Sequence, residues 1–295
     1  MPDRAAPSPT RRRRPSVPLA FAIACAIAFA AVTFVLAPRL VALGGSHRSV
    51  VNAIADSELY HLPGAEPQRA RLTLRRSERA VVTDASVAVV QTSLVWILPG
   101  ADQPPLNQTG ALFGVDRVSR AILPGYGDRE RSGSFGFPPG APRATLRIWD
   151  AFHPGPVTAR FERALKLSGV ELYRYTLDAE EVDASAGYAR LQLVPERYRV
   201  LVGGHGWTLV EPRTGLAVDR GMELAARFVL ASDRSVLGPA HALSWRYAET
   251  DRVALLEQVR QRLRLLDLVQ VWLPRLLALG TVFGFLLAAL RSRRP

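Results

Sequence analysis

The chain reads as an α+β membrane protein with one transmembrane helix at each end and a β-rich, barrel-like extracytoplasmic domain between them. Three observations predict this. An uncharged run of 24 residues lies between Pro15 and Pro38, and a run of 23 residues with Arg275 as its only charge lies between Asp267 and Arg291. A helix rises about 1.5 Å per residue, so each run can cross a hydrocarbon core of about 30 Å. Between them, from about residue 70, short segments rich in Val, Leu, Thr and aromatic residues are broken by Gly and Pro, the punctuation of β-sheet.

The segments follow in order. Residues 1–16, rich in Pro, Ser and Arg, have nothing to bury and are expected to be a disordered cytoplasmic tail. Residues 17–37 form the first membrane helix. Ala28-Phe29-Ala30 offers a cleavage site, but the apolar run continues past it, which favours an uncleaved anchor. Residues 38–249 form the β-rich domain. Strands are expected at Ala70 to Arg75, Val87 to Ile97, Ala144 to Trp149, Val157 to Leu165, Leu172 to Leu177, Ala189 to Val194 and Arg199 to Val202. A hairpin is expected over residues 206–221, where Pro212 presets a turn and Gly215 can take a left-handed conformation. Residues 99–109 and 125–142, rich in Gly and Pro, are expected to be solvated loops.

Residues 250–267 place Leu256, Val259, Leu263 and Leu266 on one face, the spacing of an amphipathic helix that lies on something apolar, with Thr250 as its N-cap and Asp251 behind it. Residues 268–290 form the second membrane helix. Pro274 is expected to kink it, Trp272 and Arg275 mark the membrane surface, and residues 291–295 form a short cytoplasmic tail.

The net charge of +12 invites a nucleic-acid reading, and its placement removes it. Residues 1–39 hold six Arg and one Asp, residues 275–294 hold four Arg, and residues 40–274 hold 28 basic against 25 acidic residues. The basicity therefore belongs to the outer flanks of the apolar blocks. By the positive-inside tendency this makes a two-pass protein of the cell membrane with both termini cytoplasmic. The lone Cys25 lies in the first apolar block, so no intrachain disulfide can form.

No chemistry stands out. His47, His61, His153, His205 and His241 lack metal-ligand spacing, and the acidic run Asp178, Glu180, Glu181, Asp183 lacks the glycine of a calcium loop. Asp116 and Asp150 could be imagined as a glycosidase pair, but a chain with this many carboxylates always contains such pairs. No catalytic, cofactor-binding or metal-binding residue is assigned, no ligand-binding residue is identified, and no cofactor is expected.

The ordered segments Val115-Asp116-Arg117, Phe137-Pro138-Pro139-Gly140, Leu146-Arg147-Ile148-Trp149-Asp150, Gly169-Val170-Glu171-Leu172-Tyr173-Arg174-Tyr175, Glu211-Pro212-Arg213-Thr214-Gly215 and Val271-Trp272-Leu273-Pro274 carry a resemblance. In these the chain resembles actinobacterial membrane proteins of the porin PorA family, also catalogued as a domain of unknown function. It departs from them in its arginine-rich tail and in Pro139, where an aromatic is expected. The family implies no catalytic residues. Residues 206–290 also resemble the end of the class B scavenger receptors, whose β-barrel ectodomain carries lipid through an apolar tunnel. The expected function is accordingly a non-enzymatic envelope protein whose β-domain binds or passes lipid or another apolar solute. The alternatives are a channel-forming porin, ranked second because the strands look short, and a purely structural envelope protein. Membrane lipid is the expected partner, with cell-envelope lipid or other envelope proteins beside it.

Overall fold

The computed structural model describes residues 17–44, 46–84, 86–100, 105–188, 195 and 197–292. The expected tail 1–16, most of the C-terminal tail and the strand expected at Ala189 to Val194 lie outside the described residues. Two compact units are present, one of residues 1–40 with 264–295 and one of residues 41–263.

The first unit is a pair of membrane-type helices. One comprises α1 (Val17–Ala31), a π-helical turn (Val32–Leu36) and α2 (Ala37–Val41). The other continues α4 (Glu249–Asp267) through a π-helical turn (Leu268–Trp272) into α5 (Leu273–Ser292). Both stretches are long and apolar enough to cross a membrane, and large side chains such as Phe34, Leu279 and Phe283 are exposed on them. Each π turn ends two residues before a proline, Pro38 or Pro274. Proline has no N–H to donate and its ring crowds the carbonyl four residues back. An i→i−5 bond, Ala37 N to Val32 O or Leu273 N to Leu268 O, widens the helix at that point, so a π turn stands immediately before the proline at which a kink was expected.

The two helices pack closely through small residues. A Cβ on Gly284 would stand 2.9 Å from Ala22 Cβ, and one on Gly280 would stand 3.1 Å from Cys25 Sγ. The pairing runs antiparallel, since Gly284 meets Pro18 and Ala22 whereas Gly280 meets Phe21 and Cys25. Gly280 and Gly284 form a G-x-x-x-G motif, which lets backbones approach where no hydrophobic effect drives association. Val17 and Ser292 therefore stand at the same end of the pair.

The second unit is an eleven-stranded, nearly closed barrel-like sheet in the order β4-β3-β2-β1-β11-β10-β9-β8-β7-β6-β5. Its strands are β1 (Arg48–Leu59), β2 (Gln68–Thr83), β3 (Val87–Ile97), β4 (Asn107–Asp116), β5 (Ser134–Phe135), β6 (Leu146–Trp149), β7 (Pro156–Leu167), β8 (Val170–Asp183), β9 (Tyr198–Glu211), β10 (Leu216–Leu230) and β11 (Val236–Tyr247). Neighbours pair antiparallel except the short β5–β6 pair. The expected strands that fall within the described residues are found, mostly longer than drawn. β1, β4, β11 and the second halves of β2 and β10 were not expected. Their Arg, Glu and Ala content hides a strand that is apolar on one face only. The hairpin over 206–221 is present as β9–β10, with Gly215 at φ 71°.

The stretch expected as solvated loop over 125–142 is exposed over residues 125–130, as expected, but its later part helps to close the barrel. Val115 of β4 bridges Ile122, and Ala121 bridges Ser134 of β5, so a two-residue segment joins the sheet's edges. Arg131 secures the join. It is buried, donates to Leu112 O on β4 (3.1 Å), and lies 4.3 Å over the Phe113 ring and 5.3 Å over that of Trp149 on β6. Phe135, Phe137 and Ala141 enter the core from the same stretch.

Alternation along the strands puts Val51, Ala53 and Ala55, Leu72 and Leu74, Leu243 and Trp245 inside. Asp56, Glu58, Arg69, Arg71, Arg75 and Arg79 occupy the outside of β1 and β2. The wall is thus apolar within and charged without. α4 begins at Glu249, one residue before the expected cap, and the Asp251 carboxylate accepts the Asn52 amide (Nδ2, 3.0 Å). Its apolar face, Leu255, Leu256, Val259 and Leu263, packs on Val170, Leu172, Leu209 and Val218 of the barrel wall. The amphipathic helix thus has its apolar partner in the sheet. Val259 is fully buried, so Val259→Ser should cost about 2 kcal/mol. The triple change of Leu256, Val259 and Leu263 to Ser should free α4 to protease within an otherwise resistant barrel. Wild-type resistance in the triple variant would mean that α4 is not held by this face.

Candidate functional site

Strands β1, β2, β10 and β11, with the turn after β6, bury polar groups in the barrel where an apolar core is the rule, and these groups are the natural candidates for a site. Arg76 and Glu78 on β2 form an ion pair, and His47 reaches Glu78 at 3.5 Å. Asp150, just after β6, pairs with Arg220 on β10 and lies 3.6 Å from Arg76. Arg76 also donates to Tyr247 Oη at 3.2 Å. Phe152, whose amide is accepted by Asp150 Oδ1 at 2.8 Å, stacks on Trp245 with ring centroids 4.2 Å apart. The result is a belt of two cations and two anions, bridged through Asp150 and sealed by aromatic rings.

The belt's electrostatics follow from its pairing. Burial by itself would raise the Glu78 carboxyl, but the guanidinium of Arg76 and the His47 hydrogen bond bring it down to about 2. Burial would lower Arg76, and Glu78 and Asp150 reverse this and hold it above its ordinary range. The belt is charge-balanced, and breaking one member leaves a buried charge alone.

A second buried group lies between β1, β11 and α3 (Ser185–Tyr188). His241 meets Ser57 Oγ through Nε2 and Tyr188 Oη through Nδ1, both at 2.8 Å, beneath the Trp96 ring. Burial lowers His241 to about 4, so the ring is neutral, one nitrogen accepting and the other donating.

The other residues weighed from sequence are dispersed. Asp116 caps its own turn at Val118 N and Ser119 N, while Asp150 belongs to the belt. Asp178, Glu180 and Glu181 pair with Arg160, Arg147 and Arg227, and Asp183 accepts from Ser185. His61 meets Gln68, His153 meets Gly155 and His205 meets Glu223. Among the described residues no three His, Cys, Asp or Glu side chains are grouped to hold a metal.

Three of the ordered segments, by contrast, converge. Ala141 N donates to Pro212 O (2.8 Å), and a Cβ on Gly215 would stand 2.4 Å from Phe137 O, so the Phe137–Gly140 turn sits against the Glu211–Gly215 turn and only glycine fits there. The Tyr175 ring lies tilted against Phe137, centroids 4.7 Å apart, and its hydroxyl donates to Pro142 O at 2.6 Å. Glu211 is buried and accepts from Arg213 N, Thr214 N and Thr214 Oγ1, which fixes the turn. In the first segment, Arg117 Nε donates to Leu43 O (2.8 Å) and Leu43 N to Arg117 O (2.7 Å), fastening the chain between α2 and β1. These segments are architectural. Sequence reasoning missed Arg76, Glu78, Arg220 and the G-x-x-x-G pair. The last was readable as a motif; the belt residues look like any surface arginine and glutamate.

Acid should unfold the barrel in two stages. Neutral in the fold, His241 takes up a proton more readily when unfolded, so its contribution is complete above about pH 6.5 and lost as pH falls to about 4. Ionised in the fold, Glu78 contributes fully above about pH 4.5 and loses this toward pH 2. Melting temperature should fall through both windows, and His241→Gln should flatten the first; an unchanged slope in that variant would assign the loss elsewhere.

A search of curated proteins finds no match. Among solved structures the chain is similar to a candidate thioesterase II from Thermobifida fusca YX at 11% identity, over 66% of this chain and 77% of that one. The TM-score is 0.13. The family model described as Porin PorA matches residues 15–291, nearly the whole chain, and the protein is a member of the porin PorA family.

Proposed function

We propose that the protein forms channels in the cell envelope, and that the conducting path runs between the helix pairs of several copies while the barrel stands outside the bilayer. The observation that carries this is the sidedness of the wall, taken with the family. A lipid-embedded β-barrel shows an apolar band outward and a polar lumen inward. The strands, at 10 to 16 residues for the long ones, have the length to cross, which removes the objection from strand length. Their polarity is reversed, with charges on the outside and Leu74, Tyr175, Leu177, Phe228 and Trp245 filling the inside. The apolar surface that lipid would cover belongs to the helices.

The lipid-carrying reading needs an apolar tunnel. Core side chains occupy the interior, and a groove of about 690 Å³ lies on the outer wall among Asp56, Arg71, His205 and Glu223. This favours conduction over lipid passage. The flanking arginines and the antiparallel helix pair support a two-pass arrangement with both ends cytoplasmic.

Purified full-length protein in planar bilayers should give stepwise conductance. Gly284→Leu, which drives a side chain into Ala22, should abolish it. Asp150→Asn should cost about 3 kcal/mol of stability or more by leaving Arg220 unpaired, yet leave unit conductance unchanged in the molecules that remain folded. No conductance from wild type would end the channel reading; conductance lost with Asp150→Asn but kept with Gly284→Leu would move the path into the barrel. For topology, a membrane-impermeant thiol reagent added to intact spheroplasts should label a cysteine introduced at the exposed barrel residue Arg71 and spare one introduced at either terminus, and the opposite pattern would reverse the orientation.

A further inference from the structure

Three valines stand exposed where two turns of the barrel meet, at 42% for Val81, 63% for Val82 and 48% for Val118. Turn tips in water favour polar residues and glycine, so valines there call for a cover. Val81 and Val82 lie near the end of β2, and Val118 follows β4. Arg117 holds the two turns together, its N donating to Ser86 O (2.8 Å) and its Nη1 to Asp84 O (2.6 Å).

The same residue places them along the chain. Leu43 N donates to Arg117 O at 2.7 Å, and Arg117 Nε donates to Leu43 O at 2.8 Å. The first apolar stretch, Val17–Leu40, ends three residues before Leu43. Three residues of extended chain reach at most about 10 Å, so the two turns are held within a short step of the end of that stretch. Its 24 residues rise about 36 Å as helix, more than a hydrocarbon core of about 30 Å, which puts its end among the headgroups.

Positive charge stands beside the valines without a counter-ion. Arg48 on β1 is directly opposite Arg79 on β2, both are exposed, and among the described residues neither pairs with a carboxylate. Ala80 N donates to His47 O at 2.9 Å, which fixes this pair next to Val81. Like charges so placed weaken a strand pair, and an anion near them removes the cost. The carboxylates of the two turns are engaged by their own backbone, Asp84 accepting from Ser86 N and Val87 N, and Asp116 from Val118 N and Ser119 N. Apolar and basic side chains on one surface are what an anionic headgroup layer binds.

We propose that this end of the barrel seats on the surface of the bilayer that holds the chain's own two apolar helices. Val81, Val82 and Val118 enter the boundary of headgroups and hydrocarbon, and Arg48 and Arg79 face lipid phosphates. The seat is independent of whether the protein conducts. The opposite end of the barrel supplies the comparison: Leu62 and Val236, beside the β1–β2 and β10–β11 turns, are 47% and 58% exposed, and no short covalent link brings them near an apolar helix.

The test uses the full chain with Cys25→Ala, reconstituted in vesicles of phosphatidylcholine and phosphatidylglycerol, with a polarity-sensitive fluorophore on a single cysteine at Val82, Leu62 or Val236. The Val82 probe should emit at shorter wavelength than the other two and be quenched several-fold more by lipid spin-labelled near the headgroup. With the probe moved to Val118, Val81→Ser with Val82→Ser should reduce that quenching, while the melting temperature in detergent stays unchanged because both side chains are exposed. Arg48→Gln should reduce it in these vesicles and leave it unchanged in phosphatidylcholine alone. A Val82 probe that is no better quenched than the Leu62 probe would overturn the proposal. A Val82 probe shielded from water yet not quenched by the lipid would also overturn it, and would assign the cover to a second copy of the chain.

Discussion

Everything in the barrel depends on its closure. A sheet of eleven strands left open would present two rows of unpaired amides and carbonyls at its edges, a template for aggregation. Here the edges are joined by the two-residue bridge at Ala121 and Ile122, and Arg131 spans the join, bonded to β4 and lying over Trp149 of β6. With the seam made, the interior is largely withdrawn from solvent, and this burial strengthens the pairing in the Arg76–Glu78–Asp150–Arg220 belt, where each charge lies beside its opposite.

The belt carries a physical tension. Apolar residues of the same volume would serve stability as well, and buried ion pairs contribute mainly when complete. What the belt adds is register. Glu78, Asp150 and Arg220 come from three distant parts of the chain, and only one alignment of β2, β6 and β10 satisfies all of them. The glycines of β9 act to the same end from the backbone side. A Cβ on Gly206 would stand 2.3 Å from Gly221 O, so β9 and β10 coil more tightly than side chains would allow.

Sidedness separates the two units. The barrel carries charged side chains on the outside of β1 and β2, whereas the helix pair exposes Leu, Val and Phe. α4 links them in one continuous helix that is amphipathic while it lies on the barrel and apolar once past Asp267. The π turns before Pro38 and Pro274 let both membrane helices absorb a proline without breaking.

The membrane helices, the apolar face of α4 and the strands with continuous Val and Leu were legible in the sequence, because hydrophobic runs and periods of 3.6 or 2 report local burial directly. The Gly–Pro segments were legible as turns but not as partners. That the Phe137–Gly140 and Glu211–Gly215 turns meet, that residues 117–135 form a seam, and that β1 and β11 are strands at all depends on neighbours more than a hundred residues away. The site residues were the least legible. Arg76, Glu78 and Arg220 have the same composition as the solvated arginines and glutamates around them, and a side chain's charge does not say which face of a strand it occupies. The sequence by itself determined that the chain carries two helices long and apolar enough to cross a membrane and a β-rich domain between them, since apolar runs are a local property. Only the tertiary structure decided which charges are buried and paired, because pairing requires the closed barrel to bring distant strands within hydrogen-bonding reach.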